Sequence, residues 1–331
     1  MTAVGNTVES IKDSVLACVG NTPLITLNRL FPEPGVEVIA KLELMNPSGS
    51  MKDRPARYII EEGLADGSIP RGTHLVESSS GNFGIALAIA ARLHGLTFTC
   101  VVDPKTTPAN IAILRQLGVD VDVVYEPDDA GGYLQNRIRR VQELLHEMPT
   151  AVWINQYAHQ RNWQAYYYGT GAEMSEQLVR PPDYLFAAVS TTGSILGCSR
   201  RLRERFPHLR IIAVDAAGSI IFGGTPAPRE IPGIGASRVP ELLEPAEIHE
   251  VVHVSDLESA QACRALLETE GIFAGGSTGS VLAAISKTLP ERRRPCRIVT
   301  IFPDRGDRYL DLVYDDAWLT KLQHLDPDAA E

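Results

Sequence analysis

The stretch Asn46-Pro47-Ser48-Gly49-Ser50-Met51-Lys52-Asp53-Arg54-Pro55 puts a primary amine, Lys52, where a loop turns into a helix. Pro47 and Gly49 break the strand-like run before it, and Ser50 is placed to cap a helix over residues 54–63. The positive end of such a helix disfavours an ammonium ion. It favours the neutral amine, the form that attacks carbonyls.

Two polar loops supply the complementary chemistry. Ser78-Ser79-Ser80-Gly81-Asn82-Phe83-Gly84 lies between a short strand and an alanine-rich helix. It sets hydroxyls and backbone N–H groups at a helix start, where anions bind. One serine suffices for a cap, so the surplus hydroxyls and Asn82 read as ligand groups. Ser190-Thr191-Thr192-Gly193-Ser194 is the sharper phosphate signal, again between strand and helix. It matches neither the lysine-bearing nucleotide loop nor G-x-G-x-x-G. A phosphate held without a nearby cation fits a resident cofactor monophosphate rather than a transferable γ-phosphate. Gly275-Gly276-Ser277-Thr278-Gly279 lets backbone approach something flat. Asn155-Gln156-Tyr157 offers amides and a phenol at a strand end. Arg137 near a helix start and Arg238 on the long loop 230–238 are candidates to meet a charged substrate.

The elements that must position these groups alternate. Strands are expected at 24–27, 36–44, 73–77, 98–102, 119–124, 153–157, 184–189, 211–216, 250–254 and 297–302. Helices are expected at 54–63, 85–93, 107–117, 133–147, 169–179, 195–206, 259–270 and 281–289, with Gly131-Gly132 opening the fourth and Asp256 capping the seventh. This pattern predicts βαβ units and parallel sheets, with ligands at the strand ends. The expected division is a smaller α/β lobe over 46–158 and a larger one from 1–45 and 159–331, which carries the phosphate cup. Residues 326–331 read as a frayed tail.

Composition narrows the class. The 331 residues suffice for two lobes, and 44% hydrophobic with 22% charged content is that of a globular protein. A net charge of −10 argues against a non-specific nucleic-acid binder. No stretch of about 18 apolar residues predicts a membrane span. Residues 1–10 lack the regions of a signal peptide. Cys18, Cys100, Cys198, Cys263 and Cys296 are odd in number and scattered, which fits a reducing cytoplasm rather than a disulfide framework. The histidines show no metal-binding spacing, so no metal site is expected.

Taken in order, the lysine, the Ser/Gly/Asn loop, the hydroxyl-rich cup and the glycine-flanked serine resemble those of fold-type II pyridoxal-phosphate enzymes. The likeness runs from Gly20-Asn21-Thr22-Pro23-Leu24 to Arg308-Tyr309-Leu310 and is greatest for the cysteine synthase and cystathionine β-synthase family. It implies two doubly wound α/β lobes with pyridoxal 5'-phosphate between them, a homodimer, and closure of the small lobe. Lys52 would join the coenzyme's aldehyde covalently. Asn82 would bind its ring hydroxyl oxygen, Ser190, Thr191, Thr192, Gly193 and Ser194 its phosphate, and Ser277 its ring nitrogen. Ser79, Ser80 and Gln156 would bind a substrate carboxylate.

A neutral serine at the ring nitrogen suits elimination of a good leaving group from a β-carbon. Ser190 adds a side chain where ordinary cysteine synthases have none. With G-G-Y-L, Arg137, I-P-G-I-G-A-S-R-V-P and D-R-G-D-R-Y-L-D-L-V-Y, the chain resembles a branch that joins O-phospho-L-serine to L-glutamate. That branch leads towards 2,3-diaminopropionate for siderophores or antibiotics. Arg137 and Ser190, with Tyr157 beside them, would meet the phosphate, and Arg238 a glutamate carboxylate. The alternatives are a cysteine synthase using O-acetylserine or O-phosphoserine with sulfide, and a non-catalytic binding protein on the same fold.

Overall fold

The computed structural model describes residues 11–127 and 132–325. The expectations for residues 1–10, for Gly131 and for the tail 326–331 lie outside the described residues. Strands β1 (Leu24–Thr26), β2 (Val36–Lys41), β7 (Tyr184–Ala188), β8 (Arg210–Ala216), β9 (Glu250–Val254) and β10 (Cys296–Ile301) form one sheet, in the order β1-β2-β10-β7-β8-β9. Only β1–β2 is antiparallel there. Strands β3 (His74–Ser78), β4 (Thr97–Val102), β5 (Asp120–Val123) and β6 (Val152–Trp153) form a second sheet, all parallel, in the order β5-β4-β3-β6.

Helices α1 (Asp53–Asp66), α2 (Asn82–Leu93), α3 (Pro108–Gln116) and α4 (Leu134–Glu147) accompany the small sheet. Helices α5 (Gln160–Tyr166), α6 (Ala172–Gln177), α7 (Gly193–Arg205), α8 (Asp256–Glu270), α9 (Gly276–Thr288) and α10 (Asp316–Leu325) follow. The apolar runs of the large sheet serve two faces, as in a parallel sheet covered on both sides. In β7, Leu185 packs into the core that holds Ile195 and Leu202 of α7, while its neighbour Phe186 packs into the core that holds Val281 and Ile285 of α9.

The structure corrects several expectations. Ser50 does not cap α1. It is buried and bridges to Asp304, and Lys52 itself occupies the cap position without a side-chain cap bond. Ser255, not Asp256, caps α8, in a capping box with Glu258. The helix expected over 169–179 is instead α5, a π-helical turn at Tyr167–Gly171, and α6. Gly169 does not mark a helix start: a Cβ there would sit 3.0 Å from Arg54 Nη1, so glycine admits the arginine. β2 stops at Lys41 because Glu43–Met45 turn as a 3-10 helix, and α10 was not foreseen.

The early end of β2 serves a buried charge cluster behind Lys52. Arg54 donates to Glu43 from Nε (2.6 Å) and Nη2 (2.7 Å), and to Glu173 of α6 from Nη1 (2.7 Å) and Nη2 (2.8 Å). Lys41 Nζ donates to Glu173 Oε2 and to the Thr22 carbonyl, both at 2.6 Å. Burial alone would raise the Glu173 carboxyl. The hydrogen bonds and charge of Arg54 and Lys41 outweigh it and hold the group at about 2, against an ordinary 4.5.

Glu173→Gln should therefore destabilise the fold by about 3 kcal/mol at pH 7, since it leaves buried Lys41 without its ion-pair partner and Arg54 with Glu43 alone. A depressed carboxyl stabilises fully above its unfolded value. Thermal unfolding should thus show the gap between wild type and variant intact above pH 4.5 and closing as pH falls towards about 2.

Candidate functional site

The carboxyl ends of parallel strands from both sheets open onto one cleft of about 180 Å³. Lys52 reaches it from the start of α1. The loop after β3 brings Ser79, Ser80 and Asn82, and the loop after β6 brings Gln156 and Tyr157. The loop after β7 brings Ser190 and Thr191, and the segment after β10 brings Arg308 and Tyr309.

Desolvation lowers the Lys52 amine to about 8, while the charge of Asp304 pulls the other way. Asp304 was not singled out from sequence. It is buried, and burial raises its carboxyl despite hydrogen bonds to Oδ2 from Asn82 Nδ2 (2.6 Å) and the Tyr309 hydroxyl (2.7 Å). Its Oδ1 has no hydrogen-bond partner among the described residues. Arg308 donates to Asn82 Oδ1 and, at 2.7 Å, to the Ser48 carbonyl. The Asn82 amide is therefore fixed at both ends.

Ser79 and Ser80 share the wall with Gln156, whose Nε2 donates to the Ser78 carbonyl at 3.3 Å. Ser79 Oγ also accepts the Gly84 N–H (2.9 Å), and a Cβ on Gly84 would lie 2.9 Å from the Ser79 carbonyl, so the loop can close on α2 only over glycine. Beneath this wall sits Glu77, a second group unseen in the sequence. It accepts N–H bonds from Ser78 (2.8 Å) and Gln156 (3.2 Å), tying the two loops together, and burial raises its carboxyl to about 7.

Arg137 lines the cleft with Nη1 3.3 Å from Asp103 Oδ2. Its Nε and Nη1 have no hydrogen-bond partner among the described residues. The Tyr157 phenol is raised by burial, opposed by the charges of Arg137 and Arg238 and by a hydrogen bond with Ser190. Arg137, Tyr157 and Ser190 thus meet at one place. Arg238 does not line the cleft: it lies over the Tyr157 ring (5.1 Å to the centroid) and pairs with Glu241.

The cup itself is built at the start of α7. Thr192 holds a left-handed φ of 62° at the cap position and provides no side-chain cap, so the first N–H groups of α7 lack one. Asn162 Nδ2 steadies the cup through Thr191 Oγ1 (3.2 Å), and a Cβ on Gly193 would sit 2.8 Å from the Asn162 amide. Ser194 follows in the first turn. Ser277 is buried in the first turn of α9 rather than on the open wall. Thr192 Oγ1 and Thr278 Oγ1 are buried without hydrogen-bond partners among the described residues. Unsatisfied hydroxyls, uncapped amides and a softened lysine amine are the donor set that a phosphate-bearing aldehyde needs.

Three comparisons agree with this geometry. The family described as pyridoxal-phosphate dependent enzyme matches residues 15–304. The chain is 56% identical over 312 residues to an N-(2-amino-2-carboxyethyl)-L-glutamate synthase of Ralstonia nicotianae, across 94% of this chain and 92% of that one. An O-acetylserine-dependent cystathionine β-synthase from Helicobacter pylori superposes with a TM-score of 0.85 at 34% identity, covering 91% of this chain and 98% of its own. An O-ureido-L-serine synthase superposes with a TM-score of 0.84 at 26% identity, covering 94% and 99%.

Asp304→Asn removes the charge that supports the Lys52 ammonium. In the cofactor-free protein the Lys52 amine should then titrate below about 8, as followed by NMR after isotope-labelled reductive methylation. An unmoved or raised midpoint would contradict the stated coupling.

Proposed function

The chain belongs to the pyridoxal-phosphate dependent enzymes, and we propose that within them it joins O-phospho-L-serine to L-glutamate, giving N-(2-amino-2-carboxyethyl)-L-glutamate and phosphate. The 56% identity over nearly the whole chain to a synthase of that name carries the reading. The cluster of Arg137, Tyr157 and Ser190 supports a phosphorylated first substrate. A non-catalytic binder leaves the softened lysine without a purpose, and an enzyme using O-acetylserine leaves this cluster without one. The product feeds 2,3-diaminopropionate formation for siderophore or antibiotic synthesis in this proposal.

Lys52, Asn82, Ser277 and the cup Ser190–Ser194 would hold the coenzyme. When bound, it supplies an aldehyde for the substrate amine and a conjugated ring that accepts electron density from the α-carbon. Ser79, Ser80 and Gln156 orient the phosphoserine carboxylate. Lys52 would take the α-proton of the substrate and later return it, a role that burial favours by lowering its amine to about 8 in the cofactor-free protein. As the Cβ–O bond breaks, Arg137 and the Ser190 and Tyr157 hydroxyls stabilise the departing phosphate. The glutamate nitrogen then forms the new Cβ–N bond.

In the same proposal the mobile small lobe spans 46–158 against 1–45 and 159–331. The separate four-stranded sheet over 74–153 supports this division. A homodimer is proposed from the family resemblance. A cytoplasmic setting is proposed from five free thiols, four of them buried; among the described residues no helix is long and apolar enough to cross a membrane.

Mass spectrometry of a reaction holding phosphoserine with glutamate, or with sulfide, decides the function. The glutamate adduct is expected, and cysteine alone would overturn the proposal. Lys52→Ala should abolish turnover and the visible absorbance of the bound coenzyme. Arg137→Ala should raise KM for phosphoserine at least about tenfold, the loss of one charge-assisted contact, and that for glutamate much less.

A further inference from the structure

With Arg238 held by Glu241 and Tyr157, the second substrate's side-chain carboxylate needs another cation. The cleft wall has four. Lys52 is the reactive amine, Arg308 is bound to Asn82 and Ser48, and Arg137 is paired with Asp103 beside Tyr157 and Ser190. The fourth is Lys105, in the turn between β4 and α3. It is exposed, lies over the Tyr133 ring (5.7 Å to the centroid), and has no carboxylate within ion-pair distance among the described residues. Glu230 feels its charge from a distance but is occupied by Trp318 (2.6 Å) and Lys321 (3.0 Å).

The turn is wired to both halves of the first-substrate site. Asp103 Oδ1 accepts the Lys105 N–H at 2.8 Å, and the other oxygen of Asp103 meets Arg137. Asn110, in the first turn of α3, donates from Nδ2 to the Ser80 carbonyl at 3.1 Å. Its Oδ1 is buried with no hydrogen-bond partner among the described residues, an acceptor left over for an incoming N–H. Lys105 and Asn110 therefore stand beside the span between the carboxylate loop and the phosphate-facing cluster, where the β-carbon of phosphoserine must lie.

We propose that Lys105 and Asn110 form the subsite for the acceptor amino acid, Lys105 binding its side-chain carboxylate and Asn110 Oδ1 receiving an N–H of its amine. The assignment rests on the glutamate reading above. Specificity would follow from charge: a site built around a cation with no carboxylate partner among the described residues favours glutamate over its uncharged amide.

The test compares glutamate and glutamine as acceptors at saturating phosphoserine, in the coenzyme-loaded wild type, Lys105→Gln and Lys105→Arg. Lys105→Gln should raise KM for glutamate about tenfold and erase most of the preference over glutamine, while KM for phosphoserine moves less than about twofold. Lys105→Arg should keep most of the preference. Unchanged preference in Lys105→Gln overturns this assignment alone, and so does a rise confined to phosphoserine, which would give Lys105 to the phosphate instead. A wild type that forms no glutamate adduct overturns the parent reading, and the subsite with it.

Discussion

The Arg54 guanidinium, shared between Glu43 and Glu173, is the contact on which the rest of the site depends. One residue separates it from Lys52 in sequence, so fixing Arg54 fixes the first turn of α1 and the amine at its start. Asn46 extends the cluster: its Nδ2 donates to Glu43 Oε2 at 3.0 Å and its Oδ1 accepts the Gly20 N–H at 2.9 Å. Buried ion pairs are costly to desolvate and do not by themselves explain stability. What this one accomplishes is registration. It joins the end of β2, the start of α1 and the start of α6 at a single point, with every charge answered.

On the other side of Lys52 the physics runs in the opposite direction. There the polar groups are left partly unanswered. Asp304 Oδ1, Thr192 Oγ1 and Thr278 Oγ1 are buried without hydrogen-bond partners among the described residues, and Lys52 has lost enough solvation to bring its amine down to about 8. A fold can hold such unsatisfied groups only where the surrounding frame is rigid. The saturated charge cluster and the unsaturated pocket are thus two sides of one loop, the first supplying the rigidity that the second consumes.

The groups legible in the sequence were those whose neighbours along the chain betray them. Lys52 stands out because Pro47 and Gly49 announce a loop before a helix. The cup stands out because four hydroxyls fall within five residues. Strand-helix alternation foretold parallel sheets for the same reason: periodicity is local. Asp304, Glu77 and Lys105 were hidden because their importance lies in burial or in what faces them across space. Arg238 was legible as a cation on a loop, but nothing nearby tells that Glu241 and the Tyr157 ring hold it. The helix start at 169 misled because a glycine that admits a distant arginine looks, locally, like a glycine that breaks a helix.

The placement of β10 has a consequence for biosynthesis. Among the described residues it is the last strand along the chain, yet it lies in the interior of its sheet, between β2 and β7. A nascent chain that has emerged as far as α9 still has a gap in the large sheet, with β2 and β7 each showing an unpaired edge. The segment after β10, which carries Asp304 and Arg308, arrives later still. The small sheet can assemble during translation because its strands are contiguous, whereas the cleft wall must wait until the residues after β10 have left the ribosome.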